Sequence, residues 1–460
     1  MKRNFYLFAM FLVVLLLALS ACGGQGEEAG EPAASEGEEA TATEPVAEEG
    51  GGEEMATEEP MAEETAAEET AAEETAVIGF TASQTGKLNL ESTRQINGLN
   101  LCIDQVNAEG ITLTDGTVVK FDSVFYDDES NNDRVQELYT RLATEDEADF
   151  LISPYSSGLA DTAAVIAEQY GRIMITTGAA SDSTYQKGFT HVFQAYTPAS
   201  RYLTGALDML ENLDDSVNKL AIVYENSKFS TDVVTALRAY AEDKGYEVAL
   251  FEGYDPETTD FAPFINKIQD VAPEAIFGGG HFQDGSTFVR QLDEKGVDVK
   301  FVSLLVAPPE PSFAELGDAA LGVNGPSQWE PQAEFSAEST ASSGLEFYGP
   351  SSSDFTQMYT DAFAEEPSYH AAGGYAACLL LQKAIEDAGT LDSEAVRTAL
   401  ENLDIMTFFG HNKFDTSAEN HGLQIGHSMV YVQWQGDGEL AKQVVWPLEG
   451  ATAEALYPMR

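Results

Sequence analysis

The chain has 460 residues, 43% of them hydrophobic, enough for two or three cored domains. It carries 78 acidic against 23 basic side chains, a formal net charge of -55, which excludes nucleic acid and anionic surfaces as electrostatic partners. The three cysteines and six histidines show no metal-ligand spacing, and no G-x-S-x-G elbow, H-E-x-x-H helix or Walker A loop occurs. No metal, cofactor or catalytic residue is therefore expected.

Lys2 and Arg3 precede an apolar run from Phe5 to Leu19, a secretory pattern too short for a spanning helix. Leu19-Ser20-Ala21-Cys22 resembles the lipobox of bacterial lipoproteins. That resemblance implies a signal peptide over 1–21, cleavage before Cys22 and lipidation of its thiol, anchoring the protein to a membrane surface. Residues 23–76 hold 19 Glu and neither Lys nor Arg, with an Ala-Glu-Glu-Thr-Ala repeat from Ala62. Without aromatic residues and with self-repelling charge, 22–76 is expected to be an unfolded tether.

From Val77 the pattern alternates between strand and helix. Val77 to Phe80 reads as a buried strand, Glu91 to Asn107 as a helix, Val118 to Tyr126 as a strand, and Asn131 or Asn132 as the cap of a helix to Thr144. Asp127-Asp128 is expected to cap that helix. Phe150 to Ile152, a Ser153–Gly158 turn, helix Leu159 to Tyr170, strand Arg172 to Thr176 and a Gly178–Ser183 turn form one βαβ unit. Right-handed crossover makes its strands parallel, so both turns leave carboxyl ends, where open α/β sheets bind ligands. The first turn also opens a helix, whose free N–H groups suit a carboxylate.

Val192 to Gln194 is a short strand. A second series follows: helix Ser200 to Leu213, strand Leu220 to Tyr224, helix Ser230 to Lys244, strand Glu247 to Phe251, helix Phe261 to Val271, strand Ala275 to Phe277, helix Gly285 to Lys295 and strand Lys300 to Leu304. Residues 330–350 read as a surface loop, then helices Ser353 to Phe363, Tyr369 to Ala388 and Ser393 to Asn402. Ser428 to Trp434 and Gln443 to Trp446 read as a hairpin. The fold class is α/β, with two Rossmann-like halves. Cys102 and Cys378, on apolar helices far apart in sequence, are expected as buried free thiols.

Tyr126-Asp127-Asp128-Glu129-Ser130-Asn131, Ser153 to Gly158, Gly178 to Ser183, Gly278-Gly279-Gly280-His281-Phe282, Gly325 to Pro331 and Tyr369-His370-Ala371-Ala372 occur in an order that resembles the type I periplasmic binding proteins of branched-chain amino acid (Leu/Ile/Val-binding) transporters. The resemblance implies two lobes joined by a three-stranded hinge: 77–198 plus 331–427, and 199–328 plus 428–460. It implies a ligand carboxylate held by Ser157, beside Tyr155 and Ser156, and by Ala179, Ala180 and Ser181. Phe229, His281 and Phe282 would face them from the second lobe, with Trp329 at a crossing and Tyr369 at a helix start. Leu305 stands where the family's amine-binding glutamate is expected, leaving Glu225, Asp284 or Glu310 for that task, or a ligand without an ammonium. The function implied is capture of a small solute and delivery to an ABC permease at the outer face of the membrane. An extracellular ligand sensor is the alternative.

Overall fold

The computed structural model describes residues 72–459. The expected signal peptide, Cys22 and the expected tether up to residue 71 lie outside the described residues.

Strand β1 is Glu73–Ala82, so it begins inside the stretch expected to be unfolded. Main-chain pairing explains the correction. Glu73 to Ala82 run parallel to Val118–Asp127 in an unbroken register, and the side chains of Glu73 and Glu74 stay in water, with Lys120 3.3 Å from Glu73.

In chain order α1 (Asn89–Glu109), β2 (Ile111–Thr112), β3 (Val118–Asp127), α2 (Asn132–Thr144), β4 (Phe150–Ile152), α3 (Ser157–Tyr170), β5 (Ile173–Thr176), α4 (Asp182–Tyr185) and β6 (Val192–Gln194) complete the first unit. Its six-stranded sheet has the order β2-β3-β1-β4-β5-β6, parallel except for β2. Strands β4 and β5 are buried along their whole length, as expected where helices cover both faces of a parallel sheet. Asn131 caps α2, accepting the N–H groups of Asp133 (2.8 Å) and Arg134 (3.2 Å). Asp127 and Asp128 do not cap it. They instead hold the loop after β1: Asp128 accepts the hydroxyls of Thr81 (2.7 Å) and Ser83 (2.6 Å), and Asp127 accepts the Gln84 N–H and the Thr85 hydroxyl.

The second series runs α5 (Thr204–Leu213), β7 (Lys219–Glu225), α6 (Lys228–Asp243), β8 (Glu247–Tyr254), α7 (Ala262–Val271), β9 (Ala275–Gly279), α8 (Phe282–Glu294), β10 (Phe301–Leu304) and β11 (Asn324–Ser327). The chain then makes β12 (Glu346–Phe347), α9 (Ser352–Phe363), α10 (Tyr369–Ala388), α11 (Ser393–Glu401), β13 (Asp404–Thr407) and β14 (Gly410–Lys413) before the hairpin β15 (Val430–Gln435) and β16 (Ala441–Trp446). Strands β15 and β16 join the second sheet, ordered β16-β15-β11-β10-β9-β7-β8. Strands β12, β13 and β14 form a small third sheet, so the 330–350 region is not loop throughout.

The chain passes between the large sheets after β6, after β11 and before β15. Thr197, in the first passage, meets one residue from each of the other two. The Thr197 N–H donates to Gln328 Oε1 at 2.9 Å, and the Thr197 hydroxyl lies 2.6 Å from His427 Nδ1. His427 Nε2 is 2.6 Å from the Phe409 carbonyl and must carry the ring proton, so Nδ1 accepts from Thr197. Burial pushes the His427 pKa down to about 4, keeping the ring neutral.

Helices α1 and α10 pack backbone to backbone. A Cβ on Gly98 would lie 1.9 Å from the Ala371 carbonyl oxygen, and one on Gly374 would lie 1.9 Å from that of Gln95. This approach brings Cys102 and Cys378 into a disulfide, with Cα atoms 6.1 Å apart. The expectation of free thiols is thereby corrected: residues 276 apart in sequence meet because two glycines remove the side chains between the helices. Gly98→Ala is expected to cost about 1–3 kcal/mol through overpacking, read as a lower denaturation midpoint at unchanged slope.

Candidate functional site

The carboxyl ends of β4 and β5 carry the two turns singled out in the sequence, and serine hydroxyls bind the turns together. Ser153 Oγ donates to the Thr177 carbonyl (3.0 Å) and accepts the Thr177 N–H (3.1 Å). Ser157, the first residue of α3, accepts the N–H groups of Ala180 (2.9 Å) and Ser181 (3.2 Å). Both lone pairs of its hydroxyl are then used, and its proton remains to be donated. Gly178 sits at φ +62°, and a side chain there would strike Gln95 and Tyr155. The Tyr155–Ser156 peptide is cis.

A cavity lies against these turns. Tyr155, Ser156, Ala180, Phe229, His281 and Tyr369 line it, as do Gly178, Tyr196, Tyr202, Val306 and His370. Six of the eleven expected site residues therefore meet at one place, and they come from both large units. Their rings nearly fill it: Tyr155 packs edge-on to His370 (5.0 Å) and His281 (5.8 Å), leaving about 10 Å³, room for one water.

The other expected residues are placed differently. Ser157, Ala179 and Ser181 are buried and adjoin the lining residues Ser156, Gly178 and Ala180 in the chain. Phe282 starts α8 and packs into the core of the second unit, with its N–H donating to Glu91 Oε1 at 3.0 Å. Trp329 is fully buried among Phe355 and Phe408 and does not line this cavity.

Charged groups surround the rings. Glu225 accepts from Lys87 (3.1 Å) and from His281 Nδ1 (2.7 Å). Burial alone would lower the His281 pKa, but Glu225 outweighs it and raises the ring to about 9. Burial tends to raise Glu225 in turn, but His281 and Lys87 hold it at about 2. Asp284 accepts the His281 N–H (2.8 Å) and the Tyr254 hydroxyl, and burial with the charge of Glu225 raises it to about 6. Glu225, His281 and Asp284 offer ligand atoms within 4.8 Å of one another, the spacing of a small metal site. A metal there would have to displace both Lys87 and the His281 proton. Glu310 forms a second cluster, accepting from His370 Nδ1 (2.5 Å) and Arg94.

Several buried polar atoms beside the cavity have no protein partner: Ser181 Oγ, His281 Nε2, His370 Nε2, Gln95 Oε1 and Glu91 Oε2. Glu91, Arg94 and Gln95 escaped the sequence reading. Their signal was present, because they extend the buried face of α1, marked by Gly98 and Cys102, one turn toward the helix start. Val306 lies after β10 in a segment with no such periodic mark.

Two parallel-rich α/β sheets facing a small polar cavity define a solute-binding protein, and residues 75–439 match the family described as Periplasmic binding protein. The chain belongs to that family. It is 24% identical over 397 residues to Leu/Ile/Val-binding protein homolog 7 of Brucella suis, covering 81% of this chain and 92% of the relative. Its fold is similar to that of LivJ from Streptococcus pneumoniae, solved with isoleucine (TM-score 0.66, 21% identity, 81% and 100% covered). It is equally similar to a solute-binding protein of Rhodopseudomonas palustris solved with 3,4-dihydroxybenzoic acid (TM-score 0.66, 20% identity, 80% and 97% covered). Members of this family bind small solutes for ABC permeases and are not enzymes. No helix among the described residues is long and apolar enough to cross a membrane.

Proposed function

We propose that this protein is an extracytoplasmic lipoprotein, anchored through Cys22, that captures a small carboxylate-bearing solute, an amino acid or amide-like acid, and delivers it to an ABC permease. The carrying observation is the group of unpartnered buried polar atoms around one cavity, set against turns that present a free Ser157 proton and the start of α3. Buried polar groups are normally paired, so their concentration at one point calls for a polar guest. Isoleucine and 3,4-dihydroxybenzoic acid, bound by the two structural neighbours, share a carboxylate and little else.

In this reading the lobes comprise 73–198 plus 331–427, and 199–328 plus 428–460, and the three passages joined by Thr197, Gln328 and His427 form the hinge. Opening about that hinge admits the solute, and closure packs the rings onto it. A thermal-shift screen of amino acids, amides, keto acids and aromatic acids tests the proposal, because a ligand of the folded state raises its stability by mass action. Absence of any shift across these classes overturns it. Ser157→Ala is expected to weaken the cognate ligand by about 1–2 kcal/mol, and an unchanged calorimetric Kd would refute the carboxylate assignment.

A further inference from the structure

We propose that Glu91, on the first turn of α1, receives a positively charged nitrogen of the ligand, an assignment that rests on the carboxylate-solute reading above. Leu305 occupies the position expected for an amine-binding glutamate, is fully buried, and has its N–H bonded to the Gly278 carbonyl. The three carboxylates named as substitutes are engaged at both oxygens. Glu225 is held by Lys87 and His281, Asp284 by the His281 N–H and Tyr254, and Glu310 by His370 and Arg94.

Glu91 differs. It is 1% exposed, its Oε1 takes the Phe282 N–H, and its Oε2 is buried without a partner. Phe282 directly follows the cavity residue His281, which places Glu91 next to the cavity's lining. Its negative charge also acts on Tyr155, Tyr369 and His281, three of the cavity's rings. An unpaired buried carboxylate oxygen is costly. The charge of His281 is already taken by Glu225, 2.7 Å away, so it does not settle that cost. A ligand hydroxyl would supply a hydrogen bond and leave the charge. An ammonium supplies both. The ligand is then a zwitterion, its carboxylate at the turn clamped by Ser157 and its nitrogen at Glu91.

The test compares an amino acid with the α-keto acid of the same carbon skeleton, by calorimetry, on the wild-type protein, Glu91→Gln and Glu91→Asp. The wild type is expected to prefer the amino acid, and Glu91→Gln to lose about ten-fold or more in amino acid affinity. Keto acid affinity should stay within about two-fold in Glu91→Gln, which also shows the variant is folded. Glu91→Asp, which keeps the charge, should retain some of the preference. Equal binding of both acids by the wild type, or equal losses for both in Glu91→Gln, overturns the assignment. If Ser157→Ala weakens the amino acid and Glu91→Gln leaves that same amino acid untouched, Glu91 alone is wrong. If no acid binds the wild type, the carboxylate reading fails and Glu91 with it.

Discussion

Glu310→Gln is expected to remove about 3–5 kcal/mol from the equilibrium that brings α1, α10 and the segment after β10 together. Glu310 is completely buried and touches two cationic or potentially cationic groups, Arg94 and His370, that belong to the other unit. Burial alone would raise its pKa, but His370 and Arg94 outweigh burial and hold it below the ordinary carboxylate range. Glutamine keeps the shape and removes the charge, so Arg94 stays buried with only the half-exposed Glu365, 3.5 Å away, as an acidic neighbour. If the contact persists without ligand, the loss appears in denaturant unfolding. If it forms only on closure, the loss appears in ligand affinity. Measuring both decides where the contact acts. A change below about 1 kcal/mol in each would show that the cluster contributes no net stability. Because the pair is buried, added salt should screen it little.

Cys102→Ala/Cys378→Ala is expected to lower unfolding stability by about 2–5 kcal/mol, since the bridge closes a long loop in the denatured chain. The 276-residue separation places this disulfide among those that restrict the unfolded chain most. Both cysteines are buried, so neither should be alkylated in the native protein, and in denaturant both should react only after reduction. Alkylation of either residue in denaturant without reductant would contradict the bridge.

Much of this architecture was legible in the sequence, for a physical reason. Strands such as Phe150–Ile152 and Ala275–Gly279 are buried on both faces and so appear as apolar runs closed by glycine or serine turns. The two-residue β12 and the four-residue β13 and β14 are too short to show a period. The start of β1 was hidden because its first residues contribute backbone and no side-chain burial. At the site, the turns around Ser157 and Ala180 were visible because turn chemistry is local. The Cys102–Cys378 bridge was not, because it depends on what a helix face meets across space. The position of Trp329 at a passage between the units is likewise a fact of sequence, while its packing on Phe355 and Phe408 is a fact of the third dimension.

The early start of β1 has a mechanical consequence. A pull on the chain before Glu73 enters the folded body along the axis of an interior strand, flanked by β3 and β4. Such a load shears the ladder between Glu73 and Ala82 and its neighbours, so many hydrogen bonds resist at once. Had the chain entered through an edge hairpin loaded across its strands, the bonds would break singly, in sequence. A load entering at Glu73 is thus shared across the first sheet.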